Sequence, residues 1–138
     1  MQAAVPNATA AEAQPTLRVL RVALGLQMVL GLLWGVSMLF FASKIVLGEA
    51  SGEHIEKIAL EGGAHFMLVF GAILVWRWPQ EGRLALMMMI FLNALWAVTD
   101  VIYIPLFGLT AIDFAVKLGV NAFLAIMLFV GGRTAKIL

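Results

Sequence analysis

The chain has 138 residues, of which 63% are hydrophobic and 12% are charged, with a formal net charge of +1. A soluble domain is usually about half apolar and about a quarter charged, so this composition indicates that much of the surface faces lipid. The small net charge gives no sign of nucleic-acid binding. The sequence contains no cysteine, which excludes disulfides, iron–sulfur clusters and thiolate metal sites.

The chain opens with small and polar residues and then becomes strongly apolar. Residues 1–16 predict a disordered tail. Residues 17–41 predict the first transmembrane helix, because a helix needs about 20 apolar residues to cross the hydrocarbon core. Within it, Gly31 and Gly35 have the GxxxG spacing that lets two helices approach closely. This spacing predicts packing against another helix of the same chain, with a dimer face as the alternative.

Three more apolar segments follow, separated by short turns, and a tail closes the chain. We predict helices at 53–78, 83–104 and 110–131, and a C-terminal tail at 134–138. Gly131 and Gly132 are expected to end the last helix. Short turns make successive helices antiparallel neighbours. The sequence therefore predicts an all-α fold, an antiparallel bundle of four transmembrane helices over residues 17–133.

Lysine and arginine residues are unevenly divided between the two ends of the predicted bundle. One end holds Arg18, Arg21, Arg77, Arg83, Arg133 and Lys136, and the other holds Lys44, Lys57 and Lys117. Cytoplasmic loops carry the excess of positive charge in most membrane proteins. We therefore expect both termini to be cytoplasmic.

Polar and aromatic side chains recur at helical spacing inside the predicted spans. They are Gln27 and Trp34 in helix 1, Glu61 and His65 in helix 2, Asn93, Trp96, Asp100 and Tyr103 in helix 3, and Asp113, Lys117 and Asn121 in helix 4. Ionisable groups are costly inside a membrane and usually face the bundle interior or a water-filled cavity. Because most of these residues fall in the outer half, we predict that they line one outward-facing polar pocket with aromatic walls.

The same residues also allow simpler roles. Asp113 and Lys117 have the i, i+4 spacing of a helical ion pair, and Lys117 can extend to the interface. Glu61 can sit at the level of the lipid headgroups. Asn93 and Asn121 can serve only as interhelical hydrogen-bond partners.

The residue types favour ligand binding over catalysis or metal binding. A haem with two axial histidines needs both at similar depth, whereas His65 lies within the membrane and His54 lies in the outer loop or first turn of helix 2. The Glu61–His65 spacing is four residues, whereas bundle di-iron sites use three. No nucleophile with a base and an orienting group is identifiable. We predict no bound metal or cofactor, although a quinone or lipid headgroup would suit the pocket.

In layout the chain resembles small bacterial four-helix membrane proteins of the DoxX-like and BphX-like kind. The resemblance spans residues 17–133 and is carried by RVLR at 18–21, NALWAVTD at 93–100 and the closing segment 113–133. It is also similar in outline to the four-helix sterol isomerase-like bundles. The resemblance implies a bacterial inner-membrane protein, accessory to redox or aromatic metabolism, and it assigns no functional residues.

Three functional hypotheses follow from these observations. The first is a protein of the bacterial inner membrane that binds a small amphipathic or aromatic ligand in the outward-facing pocket. The second is a structural subunit of a larger membrane complex. Self-association into a homo-oligomer is a separate expectation. The third is a small oligomeric transporter or proton relay, since a histidine near carboxylates can transfer protons.

Overall fold

The computed structural model describes residues 9–45, 52–106 and 111–138, with side chains from 17–42, 55–102 and 116–138. These ranges contain four α-helices and no strand: α1 (Thr9–Ile45), α2 (Gly52–Arg77), α3 (Arg83–Leu106) and α4 (Ala111–Thr134). All four contain segments that are long and apolar enough to cross a membrane. The predicted all-α fold with four membrane-spanning helices is confirmed at this level.

α1 differs most from its predicted bounds. It begins at Thr9, so the helical backbone includes residues 9–16, which the sequence analysis assigned to a disordered tail. This segment contains several alanines, and alanine has the highest helix propensity. Near the other end, Phe41 leaves helical geometry with φ −123° and ψ 20°. The resulting kink falls at the predicted end of the first span.

The four helices enclose a common interior. α1 packs most extensively on α2, α3 packs on α4, and α4 also packs on α1, whereas α2 and α3 share the smallest interface. Contacts between α1 and α2 run in opposite order along the two helices: Gly31 lies against Val69, and Gly35 lies against Gly62.

The GxxxG glycines of α1 lie at this interface with α2. A Cβ atom added to Gly31 would lie 2.7 Å from Val69 Cγ2. On the facing helix, a Cβ atom added to Gly62 would lie 2.8 Å from the backbone nitrogen of Leu39. The absence of side chains at these glycines lets α1 and α2 approach closely, as small residues do in many membrane helix pairs.

The bundle end that holds both described termini of the chain has a tightly packed, apolar core, which we call the packed half. Its buried residues are Leu20, Ala23, Leu24, Leu68, Ala72, Val75, Leu86, Met89, Leu128 and Ile137. Leu86 and Leu128 are fully buried. This cluster draws on all four helices and fixes their relative positions from one end.

The C-terminal end of α4 corrects the predicted helix end at Gly131 and Gly132. The helix continues to Thr134, and the glycines lie within it at a close contact with α1: a Cβ atom on Gly131 would lie 2.8 Å from Leu20 Cα. The helix then ends in a Schellman turn, in which Lys136 has φ 56° and the Ile137 N–H donates to the Gly132 carbonyl at 3.0 Å. Ile137 is buried, so the last residues pack on the core.

Candidate functional site

Beyond the packed half, the four helices separate around a cavity of about 120 Å³. Its lining includes nine of the eleven predicted pocket residues: Gln27, Trp34, Glu61, His65, Asn93, Trp96, Asp100, Lys117 and Asn121. The remaining two, Tyr103 and Asp113, lie outside the described side chains. The structure therefore brings together every predicted residue whose side chain it describes.

The floor of the cavity is an amide pair between α1 and α3. Gln27 is 2% exposed and Asn93 is 1% exposed. Among the described side chains, these two are the polar ones that are buried. Asn93 Nδ2 donates to Gln27 Oε1 at 2.8 Å and to the Met89 carbonyl, also at 2.8 Å. Because Met89 contributes to the packed core, this pair marks the boundary between that core and the cavity.

The hydrogen bonds of Asn93 fix the orientation of both amides. A carbonyl oxygen only accepts, so the atom facing Met89 must be Nδ2, and its second hydrogen requires an acceptor, Gln27 Oε1. Gln27 Nε2 and Asn93 Oδ1 have no hydrogen-bond partner within the described part of the chain. Among the described residues, every side-chain nitrogen or oxygen that is fully enclosed has a hydrogen-bond partner, so an atom without a partner is not fully enclosed. Both atoms are therefore open to the cavity that their residues line.

One wall joins α2 to α3 through two aromatic rings. His65 and Trp96 stack with their ring centroids 4.7 Å apart and their planes inclined by 14°. His65 Nδ1 lies 3.0 Å from the Glu61 carbonyl oxygen, one turn earlier in α2. Because the carbonyl only accepts, Nδ1 carries the hydrogen, which leaves Nε2 of the neutral ring as an acceptor.

The opposite wall joins α3 to α4 through side-chain polar groups. Asn121 Nδ2 donates to Asp100 Oδ2 at 3.3 Å, and both residues are half-buried. Next to Asp100, the Thr99 hydroxyl donates to the Trp96 carbonyl of its own helix at 2.8 Å. Such a bond within a helix satisfies the hydroxyl hydrogen without a partner on another helix.

Two charged side chains lie at the rim of the cavity. Glu61 on α2 and Lys117 on α4 are exposed, whereas Asp100 is half-buried. No ion pair involves Lys117 in the described ranges. The cavity thus combines two carboxylates, one ammonium and one imidazole with the indoles of Trp34 and Trp96.

The simpler roles considered for the two asparagines are compatible with this site. Asn93 bonds α3 to α1, and Asn121 bonds α4 to α3, yet both also line the cavity. Among the described side chains, no group of three or more histidine, aspartate or glutamate residues is placed to hold a metal ion. The arrangement can therefore present donors, acceptors and aromatic faces to a small organic group.

Part of the cavity lining was not predicted from the sequence. The additional residues are Leu30, Gly31, Met38, Thr99, Val120 and Leu124. Gly31 was assigned to packing alone, whereas its position beside Gln27 also places it at the cavity. Thr99 lies three residues after Trp96, so both share one face of α3. This spacing could have predicted Thr99 as a lining residue.

Comparisons with models of known protein families, with curated proteins and with solved structures give no match. The resemblance to DoxX-like and BphX-like proteins consequently stays a prediction. Function has to be argued from the cavity itself.

Proposed function

We propose that this protein crosses the bacterial inner membrane as an antiparallel four-helix bundle with both termini in the cytoplasm. The opposite order of the contacts between α1 and α2 supports this arrangement. At the basic end, Arg21 lies over the Trp76 ring at 5.8 Å, and Arg77 lies over Trp78 at 5.7 Å. Paired tryptophan and arginine residues suit a cytoplasmic membrane interface.

In this orientation the cavity opens in the periplasmic half, where we propose that it binds a small amphipathic or aromatic ligand. One observation supports this function above others: polar side chains from all four helices meet at one cavity beside a stacked histidine and tryptophan. A chain that served only as an anchor would have no need of these costly groups inside its span. The ligand would be a quinone, a lipid headgroup or a small ring compound, held for an accessory role in redox or aromatic metabolism.

The size of the cavity limits which part of such a ligand is enclosed. Its volume of about 120 Å³ is slightly below the ~150 Å³ of an apolar cavity that takes up benzene. One ring or one small headgroup would therefore fill it. The remainder of a longer ligand would lie outside, against the lipid-facing helix surfaces.

A proton relay or transporter and a structural subunit are the alternative functions. Glu61, His65, Asp100 and Lys117 at one cavity favour proton handling. However, the polar lining stops at Gln27 and Asn93, and the packed half beyond it is apolar. A complete path across one chain would need polar groups in that half, so a relay would require an oligomer.

Ligand-dependent stabilisation of the purified protein tests the binding function. We expect a panel of small ring compounds and quinones to raise the Tm of the wild type. His65→Ala and Trp96→Ala should lose most of this rise because they remove the stacked wall. Phe91→Ala, at a residue that is 64% exposed, serves as the control and should retain it. A panel that leaves the wild-type Tm unchanged would contradict the proposal.

A further inference from the structure

The chemistry of the cavity floor points to a more specific ligand. Gln27 Nε2 is a donor and Asn93 Oδ1 is an acceptor, and neither is satisfied by the protein, although both side chains are almost fully buried. Both atoms open to the cavity, where water can satisfy them, but a ligand that displaces this water and leaves either atom unpaired loses binding free energy. A bound partner should therefore both donate and accept a hydrogen bond.

We propose that the cavity selects a hydroxyl group on an aromatic ring, as in an alkylphenol or a quinol. The hydroxyl would donate to Asn93 Oδ1 and accept from Gln27 Nε2. This inference rests on the proposed binding function and assigns the ligand class of the same cavity.

Other headgroups satisfy the floor less completely. A quinone carbonyl or an ether oxygen can accept from Gln27 but cannot donate to Asn93, so Asn93 Oδ1 would stay unpaired. A hydrocarbon ring would leave both atoms unpaired. A site that hydrogen-bonds a ligand hydroxyl discriminates strongly against an analogue without it, because its own polar groups lose their partner.

The upper walls agree with an aromatic ring attached to that hydroxyl. Trp34 and Trp96 line the cavity, and their indoles offer flat apolar surfaces to a ring. When the ring is neutral, His65 Nε2 is an acceptor, since Nδ1 donates to the Glu61 carbonyl. A second ring hydroxyl, as in a quinol, would find this acceptor.

Three probes test the inference on the full chain in lipid nanodiscs: 4-ethylphenol, 4-ethyltoluene, which has the same shape with a methyl group in place of the hydroxyl, and 4-ethylanisole, whose ether oxygen accepts but cannot donate. Isothermal titration should show the phenol binding about tenfold tighter than the ether, which corresponds to one unpaired buried hydrogen-bonding group. Equal binding of all three would overturn the hydroxyl inference and leave the proposed function standing. Binding of none would overturn both.

A paired variant identifies the floor as the origin of the preference. Gln27→Leu combined with Asn93→Leu removes both amides together and should reduce the preference for the phenol to less than about twofold. Met88→Leu, at a residue that is 56% exposed, is the control and should keep it. An unchanged preference in the paired variant would contradict the assignment. If the paired variant does not fold, the wild-type comparison still decides.

Repeating the titration with octyl-chain versions of the phenol and the ether distinguishes two sources of the hydroxyl. Tighter binding of the octylphenol than of the ethylphenol assigns the site to a membrane-borne amphipath. Equal binding assigns it to a water-soluble phenol. In either series, a preference for the phenol over its ether supports the proposal.

Discussion

The two halves of the bundle use the same four helices in opposite ways. In the packed half, Leu86 and Leu128 are fully buried, and glycine brings α4 against α1. In the other half, the helices leave a cavity of about 120 Å³ lined with polar and aromatic groups. The packed half has the features of a scaffold, and the half with the cavity has the features of a site.

This contrast has a physical basis. Lipid is as apolar as leucine, so helices in a membrane associate through close packing and hydrogen bonds rather than through the hydrophobic effect. The packed half provides close packing. The Gln27–Asn93 pair provides a buried interhelical hydrogen bond at the boundary. Most of the stability should therefore come from the packed half, which leaves the cavity residues free to serve a ligand.

The largest expected loss of stability comes from opening a void in the packed half. Leu128→Ala removes a side chain that is 0% exposed, and we expect it to lower the free energy of unfolding by about 2–4 kcal/mol through lost packing. Leu84→Ala, where the leucine is 70% exposed, is the matched control and should change it little. Equilibrium unfolding in mixed micelles measures both. Similar losses in the two variants would mean that this half is not tightly packed.

Adding one methyl group where α4 meets α1 should have the next largest effect. Gly131→Ala would place Cβ 2.8 Å from Leu20 Cα, so backbone has to move, and we expect a loss of about 1–3 kcal/mol. Gly119→Ala on the same helix is the control, because nothing lies within 4 Å of its added Cβ. Thermal unfolding should show a lower Tm for the first and an unchanged or higher Tm for the second. The reverse order would contradict the close approach.

At the boundary between the halves, the stability losses from substituting Gln27 and Asn93 should not be additive. Asn93→Leu leaves Gln27 Oε1 buried without its donor, and we expect it to cost about 1–2 kcal/mol. Adding Gln27→Leu removes the unpaired group, so the double variant should be more stable than the single one. A double-mutant cycle by chemical unfolding measures this coupling. Additive losses would show that the two amides act independently.

Much of this division could be predicted from the sequence. Polar residues at helical spacing identify the inward faces, since i, i+4 and i+7 positions share one side of a helix. Asp100, Asn121 and His65 were predicted in this way, and all line the cavity. The length and apolar character of the segments likewise predict four spans, and the structure has four helices that are long and apolar enough to cross a membrane.

The remaining features depend on details that periodicity does not encode. Apolar lining residues such as Leu30 and Val120 differ from lipid-facing ones only by the rotation of their helix. The facing partner of the GxxxG glycines, Gly62, is determined by the register between two helices. The burial of Ile137 depends on a turn formed around Lys136, a residue type that rarely adopts positive φ.

Thiol labelling can test whether water reaches the cavity half and not the packed half, because the chain contains no cysteine of its own. Thr99→Cys would place a thiol at the cavity, and Leu128→Cys would place one in the packed half. With a membrane-impermeant maleimide added from the side that we propose is periplasmic, we predict rapid labelling of the first and none of the second. Labelling of both at the same rate, or of Thr99→Cys only from the cytoplasmic side, would contradict this account.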